Sequence, residues 1–285
     1  MITEMAASHF PSHQYSSCPQ NSSNWSGMTV FCDFDGPLVD VSDRYYSTYT
    51  IALEDTQAFY QVQGICLPIQ ALSKQQFWQM KQDRVPDIEI AMRSGLHGEQ
   101  IDVFLECVHE IVNQPALLQK DKMQSGVSWA LALLHSQGIR LVLVTLRSHS
   151  QAKQILQNYG LARLFSGIYG TESRDAAYQN YVELKTQLLA EAVQSFAVSP
   201  SATEVSRRSC STPSAWMIGD TEADIVAGQT LGIPTIALTC GIRSHYALKK
   251  CNPTRIQSDL LSAAHYLLGM TKFPVATSCQ KSYEC

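Results

Sequence analysis

The chain has 285 residues, 45% of them hydrophobic and 16% charged, with a formal net charge of −4 at pH 7. That balance excludes collagen-like, coiled-coil and wholly disordered chains, and the length suits one large domain or a core carrying a smaller inserted one. No apolar run reaches the roughly eighteen residues that a bilayer span needs, and such mild acidity leaves no electrostatic footprint for nucleic acid or an anionic membrane.

Residues 1–27 hold seven Ser and no Lys or Arg. They match neither a secretory signal nor a transit peptide, so a flexible tail is expected. The apolar run 28–33 predicts a first strand buried on both faces. Residues 41–122 then read as helix throughout, over 42–63, 73–81, 86–93 and 99–112, with Gly64, Pro68, Gly95 and Gly98 as breaks. A helical cap inserted after the first strand is expected there. From 123 the pattern alternates. Helices are predicted over 127–136, 150–159, 176–193, 222–231 and 258–268, and strands over 139–145, 167–169, 215–219 and 233–238. Gly138, Gly160 and Gly232 suit left-handed helix ends, and Ser150 and Ser258 suit N-caps. The segment 195–214 carries seven Ser, two Thr and two Pro, which predicts a disordered insertion loop. A second tail is expected over 271–285. Strands alternating with helices imply an α/β fold with a doubly wound parallel sheet. Its core would be residues 28–40 and 123–270, split by the cap at 41–122.

The nine cysteines are scattered, odd in number and without a C-x-x-C pair. Neither a disulfide framework nor a zinc knuckle follows, and reduced thiols in a cytoplasm are expected.

Carboxylates gather where strands end. The first strand runs into Asp33-Phe34-Asp35-Gly36, and 215–219 runs into Asp220, with Asp224 four residues on. Strand carboxyl ends face the ligand crevice of an open parallel sheet. Like charges so close need a cation or a shared proton, and oxygen-only donors favour a hard ion such as Mg²⁺. On the following helix, Asp220 and Asp224 are expected to share one face. Asp33 and Asp35 taken alone could equally be turn formers. Thr145, at the end of 139–145, could donate to an anion or satisfy a turn. Lys185 lies in a helical stretch, where a solvated surface charge is the ordinary reading.

The order Asp33-x-Asp35-Gly36-x-Leu38-Val39-Asp40, Thr145, Lys185, then Gly219-Asp220-x-x-x-Asp224 resembles the haloacid dehalogenase superfamily over about 28–40 and 127–244. The ending Gly241-Ile242-Arg243-Ser244 is similar to its phosphoglycolate-phosphatase-like branch, and the insertion is similar to a C1-type cap. The resemblance implies a Rossmannoid core and phosphate chemistry. Asp33 would be the nucleophile that forms an aspartyl-phosphate, and Asp35 the general acid and base. Mg²⁺ would lie on Asp33, the Asp35 carbonyl and Asp220, supported by Asp224. Thr145 and Lys185 would hold phosphoryl oxygens.

Three features depart from the common pattern: Pro37 replaces the usual Thr, Leu146-Arg147 follow Thr145, and the segment 195–214 stretches the spacing from Lys185 to Asp220. Lys153, in the helix after Thr145, rivals Lys185 as the phosphate-contacting Lys. Arg147 is either a phosphate or substrate-carboxylate contact or a surface charge. Asp35 disfavours dehalogenation, which leaves a Mg²⁺-dependent phosphatase of a small phosphorylated metabolite, phosphoglycolate-like or a sugar phosphate. The alternatives are a phosphomutase of the β-phosphoglucomutase type, and a non-catalytic phospho-ligand binder or scaffold. No nucleic-acid or membrane partner is expected, and the chain would act as a monomer or homodimer. Arg44, Tyr45, Tyr46 and Tyr49 follow the nucleophile loop, either choosing substrate or packing the cap on the core.

Overall fold

The computed structural model describes residues 25, 27–172, 176–196 and 214–269. The expected tails and Ser-rich loop lie outside these residues, apart from a few flanking positions. Strand β1 (Thr29–Cys32) is buried along its whole length. Its side chains alternate between two apolar clusters. Val30 and Cys32 join one that contains Leu131, Leu134 and Leu141, whereas Phe31 joins another with Val142, Leu189 and Met217. A strand with no polar face must be covered on both sides, which is why the run lacks the alternation of a half-exposed strand.

The two-residue strands β2 (Val39–Asp40) and β3 (Lys122–Met123) pair antiparallel. This ribbon is where the chain leaves the sheet and returns to it. Between its strands lie α1 (Ser42–Val62), α2 (Lys74–Gln82), α3 (Asp87–Arg93), α4 (Glu99–Ile111) and α5 (Pro115–Leu118). Helix α2 opens with a capping box, Ser73 accepting from the Gln76 N–H while the Gln76 side chain accepts from the Ser73 N–H. Tyr49 of α1 stacks on Phe77 of α2 at 4.8 Å and meets Phe104 of α4 edge-on at 6.2 Å, giving the inserted helices an aromatic centre.

The chain then forms α6 (Val127–Ser136), β4 (Arg140–Ser148), α7 (His149–Asn158), a 3-10 turn at Ala162–Leu164 and β5 (Phe165–Thr171). Next come α8 (Ala176–Gln179), α9 (Val182–Ser195), β6 (Ala215–Gly219) and α10 (Glu222–Thr230). The described core ends with β7 (Thr235–Leu238), α11 (His245–Lys250), β8 (Arg255–Gln257) and α12 (Leu260–Leu267). Six strands form one parallel sheet in the order β5-β4-β1-β6-β7-β8. From β1 the sheet grows to one side through β4 and β5, then to the other through β6, β7 and β8. The fold is therefore a doubly wound α/β sheet. The carboxyl ends of β4, β1 and β6 lie side by side at the point where the winding reverses, the place where such sheets bind ligands.

Several local expectations are corrected. The helix expected over 176–193 is two, parted near Asn180, which has a left-handed φ of 54°. Helix α12 is capped by Asp259 rather than Ser258, the Asp259 carboxylate accepting from the Ser262 N–H at 2.8 Å. Helix α7 starts from Ser148, not Ser150. Strand β4 continues past Thr145 to Ser148, with a register shift against β5 beyond Val144. The short β8, α5 and α11 were too brief for periodicity to reveal. Gly138, Gly160 and Gly232 do have positive φ, at 75°, 69° and 68°. Among the described residues no helix is long and apolar enough to cross a membrane.

Candidate active site

Asp33 follows β1 directly, and its N–H still bonds the Ile218 carbonyl of β6 at 2.9 Å. The chain then reverses at Gly36 (φ +96°), whose N–H bonds the Val39 carbonyl at 2.8 Å. A Cβ at Gly36 would overlap the Asp220 carboxylate, and so would one at Gly241. The two acidic strand ends can meet only because glycine backbone lies between them. Asp220 stands between β6 and α10, one residue before the Thr221 N-cap. It is therefore not on the helix, contrary to the expectation of a shared helical face. Asp224 occupies the third position of α10 and turns back. Its Oδ2 accepts from the N–H groups of Asp220 (3.2 Å) and Thr221 (3.1 Å) and from the Thr221 hydroxyl (2.8 Å).

Lys185, on α9, is 1% exposed, so the surface-charge reading fails. Its Nζ lies 2.6 Å from Asp33 Oδ1 and 2.7 Å from Asp224 Oδ1. Lys153 is exposed on α7, away from this cluster. Burial pushes the Asp33 carboxyl up to about 7, with Lys185 opposing and Asp224 reinforcing the rise. Asp220 is pushed well above the usual carboxylate range by burial and by its neighbours Asp224 and Asp33. Asp33, Asp220 and Asp224 each offer an oxygen within 4.8 Å of the others. Asp220 Oδ2 accepts from the Ile242 N–H at 2.6 Å, while its buried Oδ1 has no hydrogen-bond partner. Three carboxylates set against one ammonium leave two negative charges. An oxygen-only donor set with that surplus fits a hard divalent cation such as Mg²⁺.

Asp35 belongs to a second charged group. Arg44 Nη2 lies 3.1 Å from its Oδ2, and Arg147 Nη2 lies 2.8 Å from its Oδ1. Both arginines also reach Asp121, Arg44 through Nε at 3.0 Å and Arg147 through Nη2 at 2.6 Å. The side chains of Arg44, Arg147 and Asp121 are at most 2% exposed, and that of Asp35 is 8% exposed. Arg147 is thus no surface charge. Burial works to raise the Asp35 carboxyl, but Arg147 and Arg44 together hold it below its usual value. Thr145 is buried, and its Oγ1 accepts from the Arg147 N–H at 3.0 Å, the local bond that a turn former makes. A cavity of about 20 Å³ is lined by Asp33, Asp35, Thr145, Arg147, Asn180 and Thr221, among others.

The inserted helices are tied to the core by polar contacts. Lys81 Nζ lies 2.9 Å from Asp87 Oδ1, whose other oxygen accepts from the Tyr178 hydroxyl at 2.9 Å. Arg243, paired with both Glu222 oxygens at 2.8 and 3.1 Å, donates from Nη1 to the Lys81 carbonyl at 3.2 Å, and the Gln82 carbonyl accepts from the Ser244 N–H at 2.9 Å. Tyr45 meets Tyr178 edge-on at 5.2 Å, packing the insertion on the sheet side. Tyr46 and Tyr49 instead pack within the insertion on Phe77. A larger cleft of about 720 Å³ is lined by Lys81, Asp87, His109, Tyr178 and Arg243, among others, and by none of the four strand-end carboxylates.

Sequence reasoning missed Asp121 and Asn180. Asp121 sits in Lys120-Asp121-Lys122, which reads as a solvated charge run, and Asn180 lies inside what looked like one continuous helix. Neither carries a sequence signal, because only the packing of distant segments buries them.

A family model described as haloacid dehalogenase-like hydrolase matches residues 30–238. The chain is 26% identical over 252 residues to the "Probable phosphatase IndB" of Dickeya dadantii, covering 87% of this chain and 97% of that protein. It is also 26% identical over 184 residues to a phosphoglycolate phosphatase of Psychrobacter arcticus, covering 65% of this chain and 70% of that one. A solved haloacid dehalogenase-like family hydrolase from Streptococcus pneumoniae shares the fold with a TM-score of 0.58 at 22% identity. That match spans 84% of this chain and 97% of the solved one.

Proposed function

The chain belongs to the haloacid dehalogenase-like hydrolase family, and from that we propose that it is a Mg²⁺-dependent phosphatase of small phosphomonoesters, acting through an aspartyl-phosphate. The observation that carries this reading is Lys185 bridging Asp33, at the tip of β1, and Asp224, in the first turn of α10, with Asp35 and Thr145 lining the same cavity as Asp33. Phosphoryl transfer asks a protein for alignment and charge neutralisation more than for covalent novelty. In the proposed reaction an Asp33 oxygen attacks phosphorus, the bond to the leaving oxygen breaks, and Asp35 gives that oxygen a proton. Asp35 then takes a proton from water, which attacks the phosphorus of the aspartyl-phosphate and releases phosphate. Arg44 and Arg147 favour the ionised Asp35 that this second step needs. Lys185 restrains the Asp33 carboxylate, and Thr145 offers its hydroxyl to a phosphoryl oxygen. Asp33, Asp220 and the Asp35 carbonyl would hold the cation, with Asp224 orienting the shell. When bound, the cation supplies the positive charge that lets an anionic nucleophile approach an anionic phosphate.

Helices α1–α5 serve in this reading as a cap that chooses the leaving group. Its small phosphorylated substrate is of the phosphoglycolate or sugar-phosphate class, the first of these being the one that the Psychrobacter arcticus relative's name carries. The test is release of phosphate from p-nitrophenyl phosphate and then from a panel of such esters, with and without Mg²⁺. Turnover that needs Mg²⁺ and vanishes in Asp33→Asn, with the fold intact by circular dichroism, is the expected result. Absence of release across the panel would sink the phosphatase reading in favour of a phospho-ligand binder.

A further inference from the structure

We propose that Arg147 and Asn180 form an oxyanion-binding pair that takes oxygens of the transferring phosphoryl group, in addition to Thr145 and Lys185; this rests on the phosphatase reading. Arg147 is 2% exposed, and its Nη2 serves both Asp35 and Asp121. Its Nε and Nη1 are buried with no hydrogen-bond partner, and so is Asn180 Nδ2. Both residues line the small cavity that also contains Asp33 and Thr145. Buried donors are nearly always paired, so three unpaired ones lining a single cavity mark the place of an acceptor.

The acceptor must be rich in lone pairs. A water molecule accepts two hydrogen bonds, and the two residues carrying the three unpartnered nitrogens both line this cavity. A phosphoryl group presents several oxygens, each able to accept more than one bond. Charge points the same way. Arg44 and Arg147 balance Asp35 and Asp121, while a divalent cation with Lys185 would balance Asp33, Asp220 and Asp224. A phosphate dianion therefore meets no surplus cation, and uncommitted N–H donors are what remain to hold it. Their placement is fixed from behind. Asp121 and Asp35 anchor the guanidinium, which lies over the Phe34 ring at 5.3 Å. The Thr221 hydroxyl shares its one proton between Asp224 Oδ2 at 2.8 Å and Asn180 Oδ1 at 3.1 Å, which leaves the amide nitrogen as the end of Asn180 that lacks a partner. The cavity of about 20 Å³ has room for a single water, so it must widen to take a phosphoryl group.

Inorganic phosphate is the probe, titrated into the Mg²⁺-loaded protein by calorimetry, alongside turnover of p-nitrophenyl phosphate. Asn180→Asp keeps the acceptor for Thr221 and the left-handed turn but replaces the free donor with an anion. Arg147→Lys keeps the charge and loses the fixed fork. Each is expected to weaken phosphate binding about tenfold or more, with the fold intact by circular dichroism and Mg²⁺ affinity not reduced for Asn180→Asp. Turnover in the wild type with phosphate affinity held within twofold in both variants overturns the pair and leaves the phosphatase reading standing. A changed KM for carboxylate-bearing esters alone, at constant phosphate affinity, overturns it in favour of a leaving-group contact. A wild type with neither phosphate binding nor turnover overturns both readings.

Discussion

Asp33 and Asp35 are two residues apart and meet opposite electrostatics. Asp33 is crowded by burial and by Asp224 against a single ammonium, which raises its carboxyl to about 7, whereas two guanidinium groups hold Asp35 below its usual value. The sign of the resulting pH dependence follows from linkage. Without a cation, the folded protein keeps protons on Asp33 and Asp220 that the unfolded chain has already released. Both groups therefore cost stability as pH climbs above the usual carboxylate range, Asp33 through about 7. Asp35 works the other way, its contribution being lost as pH falls below the usual carboxylate range. A divalent cation replaces the retained protons. The melting temperature of the chelator-treated protein should thus fall between about pH 5 and pH 7, and the gain on adding Mg²⁺ should be larger at pH 8 than at pH 5. Equal gains at both values would contradict this electrostatic account.

At the scale of elements, the β6–α10 junction fixes two of the three clustered carboxylates. Its local sequence does this in six residues: Gly219 ends the strand, Asp220 projects, Thr221 caps, and Asp224 folds back on the helix start. A Cβ at Gly219 would overlap the Asp224 carboxylate, although the backbone there needs no positive φ. Gly219→Ala should therefore displace Asp224 from both Lys185 and the cap, lowering kcat about 100-fold, since roughly 1 Å of misplacement can cost that much. Gly138→Ala is the contrast. Its Cβ would meet nothing within 4 Å, but its φ is +75°. It should cost stability of about 1 kcal/mol with kcat unchanged, as measured by urea denaturation and steady-state kinetics. If both variants behave alike, the steric account of Gly219 is wrong.

For the whole molecule, β1 is the axis. It lies between β4 and β6, carries Asp33 at its tip, and shares its side chains between the two apolar clusters. Phe31→Ala, at a site with no exposure, should destabilise the protein by about 3–5 kcal/mol in urea unfolding. A loss below about 1 kcal/mol would mean that the second cluster contributes little. Much of this architecture is legible in the sequence. Apolar runs over 28–33 and 215–219, Gly138, Gly160 and Gly232 after helical stretches, and carboxylates at two strand ends are all local features. Such features are set by backbone geometry and by burial on two faces. The acidic strand ends, the residue order of the family and the helical character of 41–122 were therefore readable from one chain. Three things were not. Whether Lys185 is solvated or buried, whether Arg147 is a surface charge, and whether Asp121 belongs near Asp35 all depend on segments 26 to 152 residues apart in the chain. Sequence specifies which groups can carry charge. Only the packed sheet and the helices inserted above it decide which charges leave water together, because desolvation and Coulomb attraction act through space and take no account of chain separation.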